Sequence, residues 1–117
     1  MELNQLRKFI KNEAKRIKEY YGHLEKQNLI LASTVKLTEE LGELCQEILA
    51  HQSIQRKEKL SKYNKDNLAE EFADVIITPM ILAEWMGIDI EAALEKKMKI
   101  ITKRYYPGKK EFDIQKF

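Results

Sequence analysis

The chain has 117 residues, 44% of them apolar and 34% charged, and a formal net charge of +2. That length suits one domain with a modest core, and the balance of apolar to charged residues excludes an intrinsically disordered chain. No apolar run approaches the ~20 residues of a membrane span, the polar N-terminus shows no signal-peptide pattern, and a lone cysteine excludes an internal disulfide, so a cytoplasmic protein is expected.

Glycine and proline together number six, and strong helix formers dominate, so the expected fold is all-α with four main helices. The first covers residues 2–22, where Leu3, Leu6, Phe9, Ile10, Ala14 and Ile17 recur at three- and four-residue spacing. Tyr20, Tyr21 and His23 flank its stop at Gly22, and this aromatic cluster is read as core or dimer packing rather than base stacking. The second helix starts near Asn28 and runs to about Gln52. Leu37, Leu41, Leu44 and Ile48 form its apolar stripe, with Lys36, Glu40, Glu43 and Glu47 as a second stripe beside it. Cys45 lies on the apolar side and is read as core. Residues 51–66 lose the periodicity and form a polar, basic connection, with a short helical piece around Ile54–Leu60.

Asp66 or Asn64 caps the third helix, which ends at about Trp85 before Gly87. Leu68, Phe72, Val75, Pro79 and Leu82 make its apolar stripe; Asn67, Glu71, Asp74 and Thr78 lie beside it. Pro79 removes the bond to the Val75 carbonyl and predicts a kink or interruption. Trp85 is read as core in preference to a base pocket. Asp89 caps the fourth helix, Ile90 to about Arg104; Tyr105-Tyr106-Pro107-Gly108 ends it, and a loose tail follows from about residue 108. Charge is uneven: from Lys96 onward eight basic residues face two acids, or +6, which leaves −4 on residues 1–95.

One element is duplicated. Leu37-Thr38-Glu39-Glu40-Leu41-Gly42-Glu43-Leu44 and Leu68-Ala69-Glu70-Glu71-Phe72-Ala73-Asp74-Val75 match position for position. Each carries an acid three residues after another, Glu40 with Glu43 and Glu71 with Asp74, and residues three apart on a helix are surface neighbours. Both pairs border an apolar stripe, whereas Glu39 and Glu70 point away. Two antiparallel helices meeting at these pairs would gather four carboxylates, which repel unless a cation sits between them. An all-oxygen donor set selects a hard ion, Mg²⁺ or Mn²⁺, and no Glu-x-x-His is present for a di-iron bundle. Carboxylate-held Mg²⁺ with basic side chains nearby points to phosphoryl chemistry, in a chain with no Gly-rich phosphate loop.

At these residues the chain resembles the MazG-type, all-α nucleotide pyrophosphohydrolases, whose signature is Glu-Glu-x-x-Glu followed by Glu-x-x-Asp; here it reads Glu39-Glu40-Leu41-Gly42-Glu43, then Glu71-Phe72-Ala73-Asp74. The similarity covers about residues 25–107. It implies a MazG-like helical bundle assembled as a dimer or dimer of dimers. It further implies Mg²⁺-dependent cleavage of a nucleoside triphosphate to monophosphate and pyrophosphate, as in house-cleaning of non-standard nucleotides. By motif position Glu40, Glu43, Glu71 and Asp74 match metal ligands and catalytic acids. Lys36, Lys97 and Arg104 are the candidates for phosphate binding. The expected partners are the triphosphate substrate and further copies of the chain, with no membrane and no nucleic acid. Two competing expectations are a phosphoribosyl-ATP pyrophosphohydrolase of histidine synthesis and a non-catalytic helical oligomerisation or regulatory module.

Overall fold

A computed structural model describes residues 1–105, and all regular structure among them is helical. The helices are α1 (Leu3–Tyr20), α2 (Lys26–His51), the single-turn α3 (Lys57–Leu60), α4 (Lys65–Trp85) and α5 (Ile90–Tyr105). The all-α expectation holds, and the short helical piece in the connection is α3. The expected stop at Tyr106-Pro107-Gly108 and the tail beyond lie outside the described residues.

The chain divides into two compact units, Met1–Gly87 and Ile88–Phe117. In the first, α2 packs on α4 and α1 packs on α4. Its apolar centre comprises Ile10 and Ala14 of α1, Leu29 of α2, and Ile81 and Trp85 of α4, with Leu6, Ile17, Ile30 and Ile77 packed around them. Trp85 donates its indole N–H to the buried Ala14 carbonyl at 3.0 Å, which ties α4 to α1 and fixes the ring plane. Leu29, early in α2, therefore meets the end of α4, so the two helices run antiparallel.

Local rules set the ends. Asn64 caps α4 by accepting a hydrogen bond from the Asp66 N–H at 2.8 Å. Gly87, at φ +69°, closes it in the left-handed region. At the end of α2 the same conformation falls to a serine: Ser53 has φ +59°, with Ser53 N–H on the Ala50 carbonyl and Ile54 N–H on the Leu49 carbonyl. That bond pair is the Schellman stop. The connection is then pinned back on α2 by a His51–Tyr63 hydrogen bond and by Lys59 donating to Gln46. α2 begins at Lys26, two residues before the expected start near Asn28, and Leu29 in its first turn lies in the core. Of the kink or interruption expected at Pro79, the interruption does not occur. α4 runs unbroken through it, with Ile77, Met80 and Ile81 packed into the core on either side.

In the second unit, Asp89 caps α5 by accepting the Ala92 N–H at 3.1 Å, as its sequence predicts. Among the described residues, no helix is long and apolar enough to cross a membrane.

Candidate metal centre

The central finding is which face of α2 turns inward. Spacing predicts Leu37, Leu41, Leu44 and Ile48 as the buried stripe with the acids at its edge. Leu44 is buried, but Leu41 is 50% exposed and Ile48 is exposed too, whereas Glu40 is only 7% exposed. On α4 the same rotation leaves Phe72 48% exposed and draws Glu71 inward. Cys45, expected in the core, is exposed. The reason is tertiary: where α2 meets α4, Glu40, Glu47 and Glu71 are turned toward the contact and shielded from water, while Leu41, Ile48 and Phe72 are turned away from it.

One carboxylate oxygen from each of Glu40, Glu43 and Glu71 lies within 4.8 Å of the others. Thus both copies of the duplicated motif contribute to one point. Asp74, the fourth acid of the expected set, is exposed and stands outside that cluster, but its charge still acts on Glu71. Glu39 and Glu70 are exposed, as projection predicts. Glu47, placed on the acidic stripe by its spacing but given no role, extends the cluster one turn further along α2. Its position four residues after Glu43 was the available signal.

The cluster is electrostatically incomplete. Glu40 Oε2, Glu47 Oε2 and Glu71 Oε2 are all buried without a hydrogen-bond partner. Buried polar atoms are normally paired, and unpaired buried anions are costly. Burial first, and then the charges of Glu43, Asp74, Glu40 and Glu47, push the Glu71 carboxyl above its usual range. Among the described residues, Lys36 answers this field: its Nζ stands 3.1 Å from Glu40 Oε1 and 3.9 Å from Glu39 Oε2. The hydrogen bond to Glu40, and then the Glu40 charge, hold the Lys36 ammonium above its usual range. Lys36 was expected at phosphate; here it neutralises the Glu40 oxygen that has a partner, and Oε2 is left without one.

These donors fit a hard divalent ion. Mg²⁺ with oxygens at about 2.1 Å spans donors up to roughly 4.2 Å apart. The present 4.8 Å spread closes to that by small side-chain rotations, which Glu43, exposed to solvent, is free to make. Three carboxylates leave the remaining positions of such an ion to water and phosphate oxygens.

The other two residues expected at phosphate, Lys97 and Arg104, lie on α5 and belong to the second unit. Both are exposed, and the Arg104 guanidinium sits 5.9 Å from the centre of the Tyr105 ring.

Comparison with known proteins agrees with the motif. The model of the MazG-like family matches residues 31–117, about three quarters of the chain. No curated protein and no solved structure matches it.

Proposed function

The chain belongs to the MazG-like family, and from that premise we propose that it is a Mg²⁺-dependent nucleoside triphosphate pyrophosphohydrolase. The observation that carries the proposal is the set of buried, unpartnered carboxylate oxygens on Glu40, Glu71 and Glu47, gathered where the two motif copies meet. A site that leaves such groups unpaired in the apo chain is arranged for a cation.

In this reading Glu40, Glu43 and Glu71 hold the ion, and Asp74 joins them from the next turn of α4. When bound, Mg²⁺ supplies charge neutralisation at the phosphate oxygens and a more acidic water. Lys36, one turn before Glu40 on α2, would add its positive charge at the edge of the same site. Water adds at the α-phosphorus, the α–β phosphoanhydride bond breaks, pyrophosphate leaves with the bridging oxygen, and the proton of the water passes to the carboxylates or to solvent.

The chain acts as a homodimer in the same reading. Leu31, Val35, Thr38, Gly42, Cys45 and Leu49 recur at alternating four- and three-residue spacing on the outer face of α2, and every one is exposed. That is the 3.5-residue seam of a helix pair. A Cβ placed on Gly42 meets nothing within 4 Å, so a second helix has room to approach closely.

Incubation with a panel of nucleoside triphosphates and Mg²⁺ tests the activity. The expected result is stoichiometric pyrophosphate and nucleoside monophosphate, absent when the metal is chelated. Release of inorganic phosphate alone, or no release from any triphosphate, rules the reading out.

A further inference from the structure

The connection between α2 and α4 is basic. Over residues 54–66, Arg56, Lys57, Lys59, Lys62 and Lys65 stand against Glu58 and Asp66, five charges less two, or +3. Among the described residues, none of these five cations forms an ion pair. We propose that this connection is the arm that holds the terminal phosphates of the substrate, with Lys59 as its positioning cation. Through it the protein takes triphosphates in preference to diphosphates. The inference rests on the reading of the acid cluster as a cation-and-phosphate site.

Position is the first argument. Lys59 is half-buried, and its Nζ donates to Gln46 Oε1 at 3.2 Å. Gln46 follows Glu43 by three residues, so the two are surface neighbours on α2, about 4.5 Å apart along its axis. Glu43 is the exposed member of the acid cluster and so marks the side of the site open to solvent. The Lys59 ammonium therefore stands about one turn from that open edge. Lys36, bonded to Glu40, stands at the other end of the same stretch of α2.

Charge decides between the two ends. Lys36 is already engaged by Glu40, and it lines an apolar cavity with Leu29, Ile81 and Trp85. Phosphate oxygens entering that cavity would lose hydration without gaining partners. At the opposite end Lys59 rests on a neutral amide, with four more cations in the same short connection. A phosphate chain running from the ion toward α3 exchanges the Lys59–Gln46 bond for a charge-assisted one. Gln46 is exposed, so its freed carbonyl returns to water.

Pre-organisation is the third argument. Ser53 turns the chain out of α2, and the His51–Tyr63 hydrogen bond ties the end of α2 to the end of the connection. Between them, Ser61 Oγ donates to the Glu58 carbonyl at 2.9 Å and closes the turn of α3. Lys59 thus meets a phosphate from a backbone already in place, and only its own flexible stem has to be ordered. The connection joins the two copies of the acid motif but belongs to neither. Because the proposed reaction releases the last two phosphates together, the same arm holds the departing pyrophosphate.

The test is calorimetric titration of the full-length protein, in saturating Mg²⁺, with inorganic tripolyphosphate and with pyrophosphate. KM and kcat are then measured for one nucleoside as its triphosphate and as its diphosphate. Tripolyphosphate should bind the parent protein more tightly than pyrophosphate does. Lys59→Gln should weaken tripolyphosphate binding about ten-fold or more, the loss of one charge-assisted hydrogen bond, and should leave pyrophosphate unchanged. The triphosphate KM should rise by a similar factor with kcat unaltered, and the diphosphate KM should not move. Lys59→Arg should restore the parent values. Gln46→Ala removes the same hydrogen bond but keeps the cation, and should bind tripolyphosphate as the parent does. Lys11→Gln, at an exposed lysine of α1, controls for net charge and should change nothing. Tripolyphosphate affinity untouched by Lys59→Gln, or lost equally in Gln46→Ala or Lys11→Gln, overturns the inference. Pyrophosphate release from triphosphates with an unaltered KM in Lys59→Gln overturns it alone. Lys59-dependent tripolyphosphate binding without pyrophosphate release from any triphosphate overturns the pyrophosphohydrolase reading instead.

Discussion

The two faces of α2 are inverted relative to an ordinary amphipathic helix. The face turned toward α4 carries Glu40, Glu43 and Glu47, two of them with a buried oxygen that has no partner. The opposite face carries Leu31, Val35, Thr38, Gly42, Cys45 and Leu49, all exposed. A lone folded chain gains from neither arrangement. Buried carboxylates repel and lose hydration, while an exposed Leu or Val forgoes about 1.5–3 kcal/mol of burial. On the proposed reading each face is complementary to something other than the single chain: a hard cation on one side, a second apolar helix on the other. The apolar centre of the first unit shows no such inversion. Ile10, Ala14, Leu29, Ile81 and Trp85 pack conventionally, and the lone polar tip among them, the Trp85 indole N–H, has its acceptor. The stable end of the unit anchors α2 and α4, and their far ends are free to carry the strained acids.

The comparison can be broken at either face. The largest effect is expected from Glu43→Gln on the inner face. Glu43 is exposed, so the variant should fold, and removing one charge should ease repulsion in the metal-free protein. Activity should nevertheless fall by about 100-fold or more in kcat/KM, and the Mg²⁺-dependent rise in Tm should vanish. Retained activity together with a retained Mg²⁺ effect would remove Glu43 from the ligand set.

On the outer face, Val35→Asp places a charge in the apolar seam at a side chain that is 69% exposed in the single chain. Sedimentation should show the homodimer converted to monomer, with the helical circular dichroism unchanged. A dimer of unaltered affinity would exclude this seam as the interface.

A smaller effect sharpens the inner face through pH. The folded-state pKa of Glu71 is raised, so the unfolded chain gives up that proton first. Unfolding therefore releases a proton as pH climbs from the ordinary carboxylate value of 4.5 toward the raised one. Metal-free stability should fall with rising pH across that window and level off above it. Glu71→Gln should lose this component, and saturating Mg²⁺ should cancel it in the parent protein. Thermal unfolding of both proteins in steps from pH 4 to pH 7, with and without Mg²⁺, measures the difference. A slope unchanged in Glu71→Gln would contradict it.

The smallest effect lies where the two faces end together. Ser53 holds a left-handed conformation that a glycine adopts freely, so Ser53→Gly should stabilise the protein by about 0.5–1 kcal/mol. Denaturant unfolding measures it, and a loss of stability would mean that the serine contributes more than the backbone costs.

Helix boundaries were legible in the sequence because they follow from local chemistry. Asn64 capping α4, Asp89 capping α5 and Gly87 ending α4 each act within a few residues of themselves. The duplicated acids were equally legible, since a three-residue spacing puts Glu40 beside Glu43 and Glu71 beside Asp74 on any helix. Legible too was the antiparallel meeting of the two copies, which follows from their equivalence and a connection long enough to reverse the chain. The stop at Ser53 was not, because serine carries little preference for a left-handed residue and only the two flanking hydrogen bonds reveal it.

What the sequence could not decide was direction. Its periodicity places an apolar and an acidic stripe side by side on α2, and burial of the apolar one is the favourable choice for a single helix in water. The tertiary structure turned Glu40 inward and Leu41 outward, and it put Cys45 on the surface. It likewise brought Tyr20, the last residue of α1, and Tyr21 into the lining of a cavity of about 560 Å³ that Trp85 also lines, 64 residues after Tyr21. Backbone hydrogen bonding four residues apart fixes which side chains share a stripe. Which stripe meets a neighbour is fixed by the summed packing of α1, α2 and α4, to which residues far apart in sequence contribute, and no single helix contains that sum.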